Sequence, residues 1–163
     1  NSMLVPHWGN WDEFRKLVKW TFDKYCELVA PQGVHRIGIR YINRIDLSSV
    51  QRPIALHDYF NLTAPLSPFP DAPIKAFRTH SVVQMETGSS APTVATTFAD
   101  AQSVGRPHSS NQFVLDIDVY QSWPVESPES LKDVPETLEQ MRSLERTAFE
   151  SCITDQLRTL FDQ

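Results

Sequence analysis

Hydrophobic positions change their period twice along the chain. Trp11, Phe14, Leu17, Val18, Phe22, Tyr25, Leu28 and Val29 recur three and four residues apart, which predicts an amphipathic helix. Asn10 followed by Glu13 forms an N-terminal capping pattern with Asn in place of Ser or Thr, and Pro31 and Gly33 predict its end. The period then drops to two. Ile37, Ile39, Tyr41 and Ile45 fall on one side of an extended segment, and Arg36, Arg40 and Arg44 on the other. An unbroken strand over 34–47 would run to roughly 45 Å, well past a typical strand, so a bend is expected, with a bulge at Gly38.

Downstream, 48–70 is punctuated by Pro53, Pro65, Pro68 and Pro70, with Leu56, His57, Asp58, Tyr59 and Phe60 long enough for one helical turn. Two further strands are predicted over 74–87 and 93–98, joined by the loop chemistry of Gly88, Ser89, Ser90, Ala91 and Pro92. A polar loop over 101–111 contains Gly105 and Pro107. Phe113, Leu115, Ile117 and Val119 then alternate with Asp116, Asp118 and Tyr120, predicting a fourth strand with a clean apolar face. The stretch 123–134 is rich in Pro and acidic residues. Beyond it Pro135 opens a long helix to Phe161, carrying a stripe of Leu138, Met141, Leu144, Ala148, Phe149, Cys152, Ile153, Leu157, Leu160 and Phe161. The order α-β-β-β-β-α predicts an α+β fold: an antiparallel sheet of about four strands, with an N-terminal and a long C-terminal helix packed on one face.

A length of 163 residues with 40% hydrophobic content suits one α+β domain over 1–163. The formal charge of −5 argues against a general phosphate-backbone binder, so no nucleic-acid partner is expected. No apolar run approaches the roughly 20 residues that span a bilayer, and 1–6 lacks a signal-peptide pattern, so no membrane role is expected either. Two cysteines, Cys26 and Cys152, sit among apolar helical positions and read as core thiols in a reduced, cytoplasmic setting.

With the apolar side of the sheet under the helices, the other side collects Arg36, Arg40, Arg44, Arg78, His80, Gln84, Glu86, Asp116, Asp118 and Tyr120. Three chemistries compete for that face. Arg and Asp can pair across strands on a solvated surface, where each pair is worth tenths of a kcal/mol to about 1 kcal/mol. Another chain segment or a second subunit can cover it. Neighbouring arginines can also hold an anionic ligand, with Tyr41 or Asn43 at the mouth. Asp116 and Asp118 share a face and suit a hard cation, although the nearby arginines compete with a metal and no metal site is assigned. The five histidines, His7, His35, His57, His80 and His108, lack zinc-ligand spacing. No P-loop, dinucleotide fingerprint or nucleophile elbow occurs, so no cofactor is expected. The first reading is therefore a noncatalytic binding domain whose arginine face engages an acidic partner or an upstream segment of its own protein. The second is an enzyme on an anionic small molecule, with Arg36 and Arg40 as clamps and Asp116 or Asp118 as general base.

Four blocks carry a resemblance: Trp11-Asp12-Glu13-Phe14; Arg36-Ile37-Gly38-Ile39-Arg40-Tyr41-Ile42-Asn43-Arg44-Ile45; Leu115-Asp116-Ile117-Asp118-Val119-Tyr120; and Phe149-Glu150-Ser151-Cys152-Ile153-Thr154-Asp155. The chain resembles a sporadically distributed bacterial family whose members have no assigned activity or cofactor. Those members are longer, with a strand-rich segment before the Trp-x-x-Phe helix. The resemblance thus implies that 1–163 is the C-terminal part of a longer parent chain, whereas Asn1-Ser2 reads equally well as extra residues before a native Met3. Missing strands would leave a sheet edge open, for which a homodimer by strand pairing is the expected consequence.

Overall fold

The computed structural model describes residues 10–50, 54–62, 76–86, 91–101, 111–123, 128–132 and 134–161. The first helix, α1, spans Trp11–Val29. Its N-terminus is capped as the sequence predicts, with the Asn10 side chain accepting a hydrogen bond from the Glu13 amide at 3.0 Å. It stops one residue before Pro31, at Ala30, whose φ of 48° places an alanine in the left-handed conformation that glycine normally supplies. The Ala30 amide closes the last turn onto the Cys26 carbonyl.

Four strands follow: β1 (Arg36–Asp46), β2 (Arg78–Gln84), β3 (Thr93–Asp100) and β4 (Gln112–Ser122). They form one antiparallel sheet in the order β1-β4-β3-β2. The α+β class, the sheet and the α-β-β-β-β-α order of the main elements are those the sequence predicts. The expected bulge is absent: β1 pairs with β4 in one unbroken register, from Arg36 opposite Ser122 to Asp46 opposite Gln112. Gly38 serves another purpose. A Cβ there would stand 3.1 Å from Tyr120 Cβ and 3.2 Å from the Val119 carbonyl, so its absence lets the two strands and the Tyr120 side chain close up. The expected loop residues Gly88, Ser89, Ser90, Gly105 and Pro107 and the prolines Pro53, Pro65, Pro68 and Pro70 lie outside the described residues, as do Asn1 to Pro6. The β2–β3 turn is closed by the Met85 amide donating to the Pro92 carbonyl.

The expected C-terminal helix is two helices, α4 (Val134–Cys152) and α5 (Asp155–Phe161). The break has its cause in long-range contacts. Ile153 makes a β-bridge with Phe60, which follows the short helix α2 (Leu56–Tyr59), and the Asn61 side chain donates to the Ile153 carbonyl at 2.8 Å. Thr154 then donates its hydroxyl to the Asp58 carbonyl and accepts from the Leu157 amide, starting α5. A further short helix, α3 (Pro128–Lys132), occupies part of the acidic, proline-rich stretch that the sequence did not resolve into an element.

The core lies between the helices and the apolar side of the sheet. Leu115, Ile117, Val119, Met141 and Leu157 are fully buried. Phe60, Phe77, Phe98 and Phe113 pack ring against ring, with Phe60 and Phe98 centroids 4.5 Å apart. Each such pair adds about 0.5–1.5 kcal/mol beyond its burial. α1 sits outermost: none of its residues is buried, Cys26 included; Val18 and Phe22 pack partly buried against the core, and Trp11 and Arg15 both bond to Glu139 of α4. Cys26 is therefore not the core thiol expected, whereas Cys152 is. Burial pushes the Cys152 thiol up to about 11. Among the described residues, no helix is long and apolar enough to cross a membrane.

Candidate functional site: an arginine-lined sheet face

Residues directly opposite one another in an antiparallel pair share a face, so the register dictates what stands together on the side away from the core. Five rows run across the sheet. Arg36 faces Ser122; Gly38, Tyr120, Thr93 and Gln84 form the next row; then Arg40, Asp118, Ala95 and Val82; then Ile42, Asp116, Thr97 and His80; then Arg44, Val114, Ala99 and Arg78. Asp46 and Gln112 close the end. Arg36, Arg40, Arg44, Arg78, Asp116 and Asp118 thus share one surface, as their alternation predicts. Tyr41 and Asn43 do not: strand parity sends both to the helix side, so neither stands at the mouth of an arginine site. Tyr41 packs under Arg142, whose guanidinium carbon is 4.7 Å from the ring centroid, and Asn43 donates to the Leu115 carbonyl at 3.2 Å.

The ion pairs do not follow the rows. Arg40 stands opposite Asp118 but reaches one row along to Asp116, with Nε to Oδ1 at 2.8 Å and Nη2 to Oδ2 at 2.5 Å. This two-pronged contact favours the charged guanidinium and raises the Arg40 pKa. Arg36 reaches two rows, across the Gly38–Tyr120 row, to Asp118 at 3.4 Å, and its guanidinium carbon lies 4.5 Å from the centre of the Tyr120 ring. A Cβ on Gly38 would sit 3.6 Å from Arg36 Nη1, so glycine leaves this crossing open.

Arg44, shifted by the same one row as Arg40, would meet residue 112, which is Gln112, and that amide donates instead to Asp46 at 2.5 Å. Arg78 stands at the far end of the Arg44 row, opposite Ala99. Both side chains are exposed, and among the described residues neither makes an ion pair or a side-chain hydrogen bond. They stand three strand spacings apart, about 14 Å. Along the strands of this face, four arginines meet three aspartates, Asp46, Asp116 and Asp118, leaving one positive charge. Glu86 lies past the end of β2.

Two apolar side chains, Ile42 and Val82, are each 56% exposed between these charges. A hollow of about 410 Å³ opens beside β1, lined by Arg40, Ile42, Arg44, Asp46, Val114 and Asp116. His80 is bonded through Nδ1 to the Thr97 hydroxyl at 2.9 Å. Among the described residues, no three His, Cys, Asp or Glu side chains converge as a metal site would require. The sequence did not point to Val114, Ala99 and Gln112, which decide that Arg44 and Arg78 stay unmatched. That information lies in strand register, and alternation within one strand does not carry it.

Comparison with family models, with curated proteins and with solved structures gives no match to this chain.

Proposed function

We propose that this chain is a noncatalytic binding domain that uses the open face of its sheet to engage an acidic protein segment, supplied by a partner or by its own parent chain. The observation that carries this reading is the pair of exposed, unmatched guanidiniums of Arg44 and Arg78 at the two ends of one row. Carboxylates four residues apart on an extended peptide stand about 13 Å apart, close to the separation of those arginines. Ile42 and Val82 offer apolar contact beside them. An acidic peptide strand laid across the sheet satisfies both features. The enzyme reading has less support, because Asp116 and Asp118 are each engaged by an arginine of the same face and neither stands uncommitted as a general base. A bacterial origin and a cytoplasmic setting, implied by the resemblance and by the cysteine usage, belong to the same proposal.

The test uses a fluorescein-labelled oligoglutamate peptide followed by anisotropy. Saturable, salt-sensitive binding is expected. Arg44→Ala together with Arg78→Ala should weaken it at least tenfold, whereas Arg158→Ala, on α5 and tied to Glu150 and Asp155, should not. Equal losses at both places, or binding indifferent to Arg44 and Arg78, would remove the reading.

A further inference from the structure

Among the described residues, β1 stands at the end of the sheet and is paired with β4 on one side only. The two ladder bonds just beyond its ends, from the Leu47 amide to the Asn111 carbonyl and from the Trp123 amide to the His35 carbonyl, fix which residues face β4. Both continue the odd-numbered positions. The N–H and C=O groups of Arg36, Gly38, Arg40, Ile42, Arg44 and Asp46 therefore point outward. Six consecutive outward positions on a bulge-free strand of 11 residues make a long template for strand addition.

We propose that a second copy of this chain occupies that edge, with β1 pairing antiparallel to β1 of its partner about a two-fold axis at Tyr41. In an isologous antiparallel pair, facing residues share a face, so the axis must pass through a residue. Centring on Tyr41 alone overlaps all 11 residues. It sets Arg36 opposite the partner's Asp46 at both ends, Gly38 opposite Arg44, and Arg40 opposite Ile42. Every outward-facing backbone group then finds a partner, because the set of six positions maps onto itself. Shifting the axis by one residue either way opposes arginines: Arg40 to Arg40 and Arg36 to Arg44 about residue 40, or Arg40 to Arg44 about residue 42.

Ile42, 56% exposed in one copy, is covered by the aliphatic stems of the facing Arg40 and its neighbours. The product is a continuous eight-stranded sheet, with Arg36, Arg40, Arg44 and Arg78 of both copies on one surface and the helices on the other. The proposal concerns the backbone edge of β1, and it stands or falls separately from the acidic-partner reading, which concerns the face.

One strand pair buries less than a standard interface of about 800 Å² per partner, so a dissociation constant in the range of about 1–100 µM is expected. Sedimentation of the full chain across that range should show twice 18.6 kDa. A folded protein that remains monomeric at the upper end overturns the proposal. Register is tested by cysteine cross-linking. Arg40→Cys and Ile42→Cys, mixed and oxidised, should form a covalent dimer, because facing hydrogen-bonded residues stand about 5.5 Å apart, within disulfide reach. Each variant alone should not, since like residues are then about 8 Å or more apart, and the wild type controls for Cys26 and Cys152. A dimer in which that mixture fails to cross-link, or in which either variant links to itself equally well, also overturns it. Asp46→Lys, confirmed folded by its melting curve, should weaken dimerisation at least tenfold.

Discussion

The pairing of Arg40 with Asp116 gives a quantitative test of whether the arginine face holds the fold together. The perturbation is a double-mutant cycle of Arg40→Met and Asp116→Asn, each shape-conserving. Geometry argues for strength: two contacts at 2.8 and 2.5 Å, with the Asp116 side chain only 16% exposed. Exposure argues for weakness, since the Arg40 side chain is 58% exposed and solvent screens its field. Ordinary exposed pairs contribute about 0.2–1 kcal/mol, and the bidentate geometry with a shielded carboxylate places this one near the top of that range, at about 1 kcal/mol. Urea unfolding of the wild type, both single variants and the double variant yields the coupling directly. A coupling of about 3 kcal/mol or more would make the pair a structural element of a buried network and refute the reading of an open, solvated face. A coupling indistinguishable from zero would refute the pairing itself.

Three further expectations are independent of that cycle. Ala30→Gly should stabilise the fold by about 0.5–1 kcal/mol, because φ of 48° is strained for alanine and free for glycine; unchanged or lower stability in chemical denaturation would contradict this. Under native conditions near pH 8, Ellman's reagent should modify Cys26 readily and Cys152 negligibly, since Cys152 is buried with its thiol pushed up to about 11; both should react in denaturant, and fast native modification of Cys152 would count against the core packing. Glu145 is buried beside Arg142, and desolvation raises its pKa above the usual carboxylate value. The folded state therefore holds this proton more tightly than the unfolded chain, so the stability it confers is present below the unfolded pKa and lost as pH rises through the raised one. Wild type minus Glu145→Gln stability, measured by urea unfolding, should fall as pH rises above the unfolded carboxylate value of about 4.3; a rise there would reverse the sign assigned to desolvation.

Much of the fold was legible because alternation and helical spacing report burial directly. Ile39, Ile45, Leu115, Ile117 and Val119 are buried where the pattern places them, and Arg36, Arg40 and Arg44 stand on the opposite face. Two features were not legible. The break between α4 and α5 depends on Phe60 and Asp58, more than 90 positions away, bonding to Ile153 and Thr154. Nothing local in Cys152-Ile153-Thr154-Asp155 announces it. At the candidate site, composition of the face was readable but its pairing was not. Arg40 chooses Asp116 over the facing Asp118, and Arg44 and Arg78 remain unmatched because Val114 and Ala99 occupy their row. Such choices follow from register between strands, which no single segment encodes. Tyr41 and Asn43 show the converse. Their neighbours in sequence are arginines, yet strand parity sends both to the helix side.

Amide chemical-shift mapping during titration with an acidic peptide tests the open-face reading most directly. Shifts concentrated on Ile42, Arg44, Val114 and Arg78, with α4 and α5 silent, are the expected result. Shifts confined to the helices, or a spectrum unmoved at millimolar peptide, would show that the unmatched arginines are solvated surface and no more.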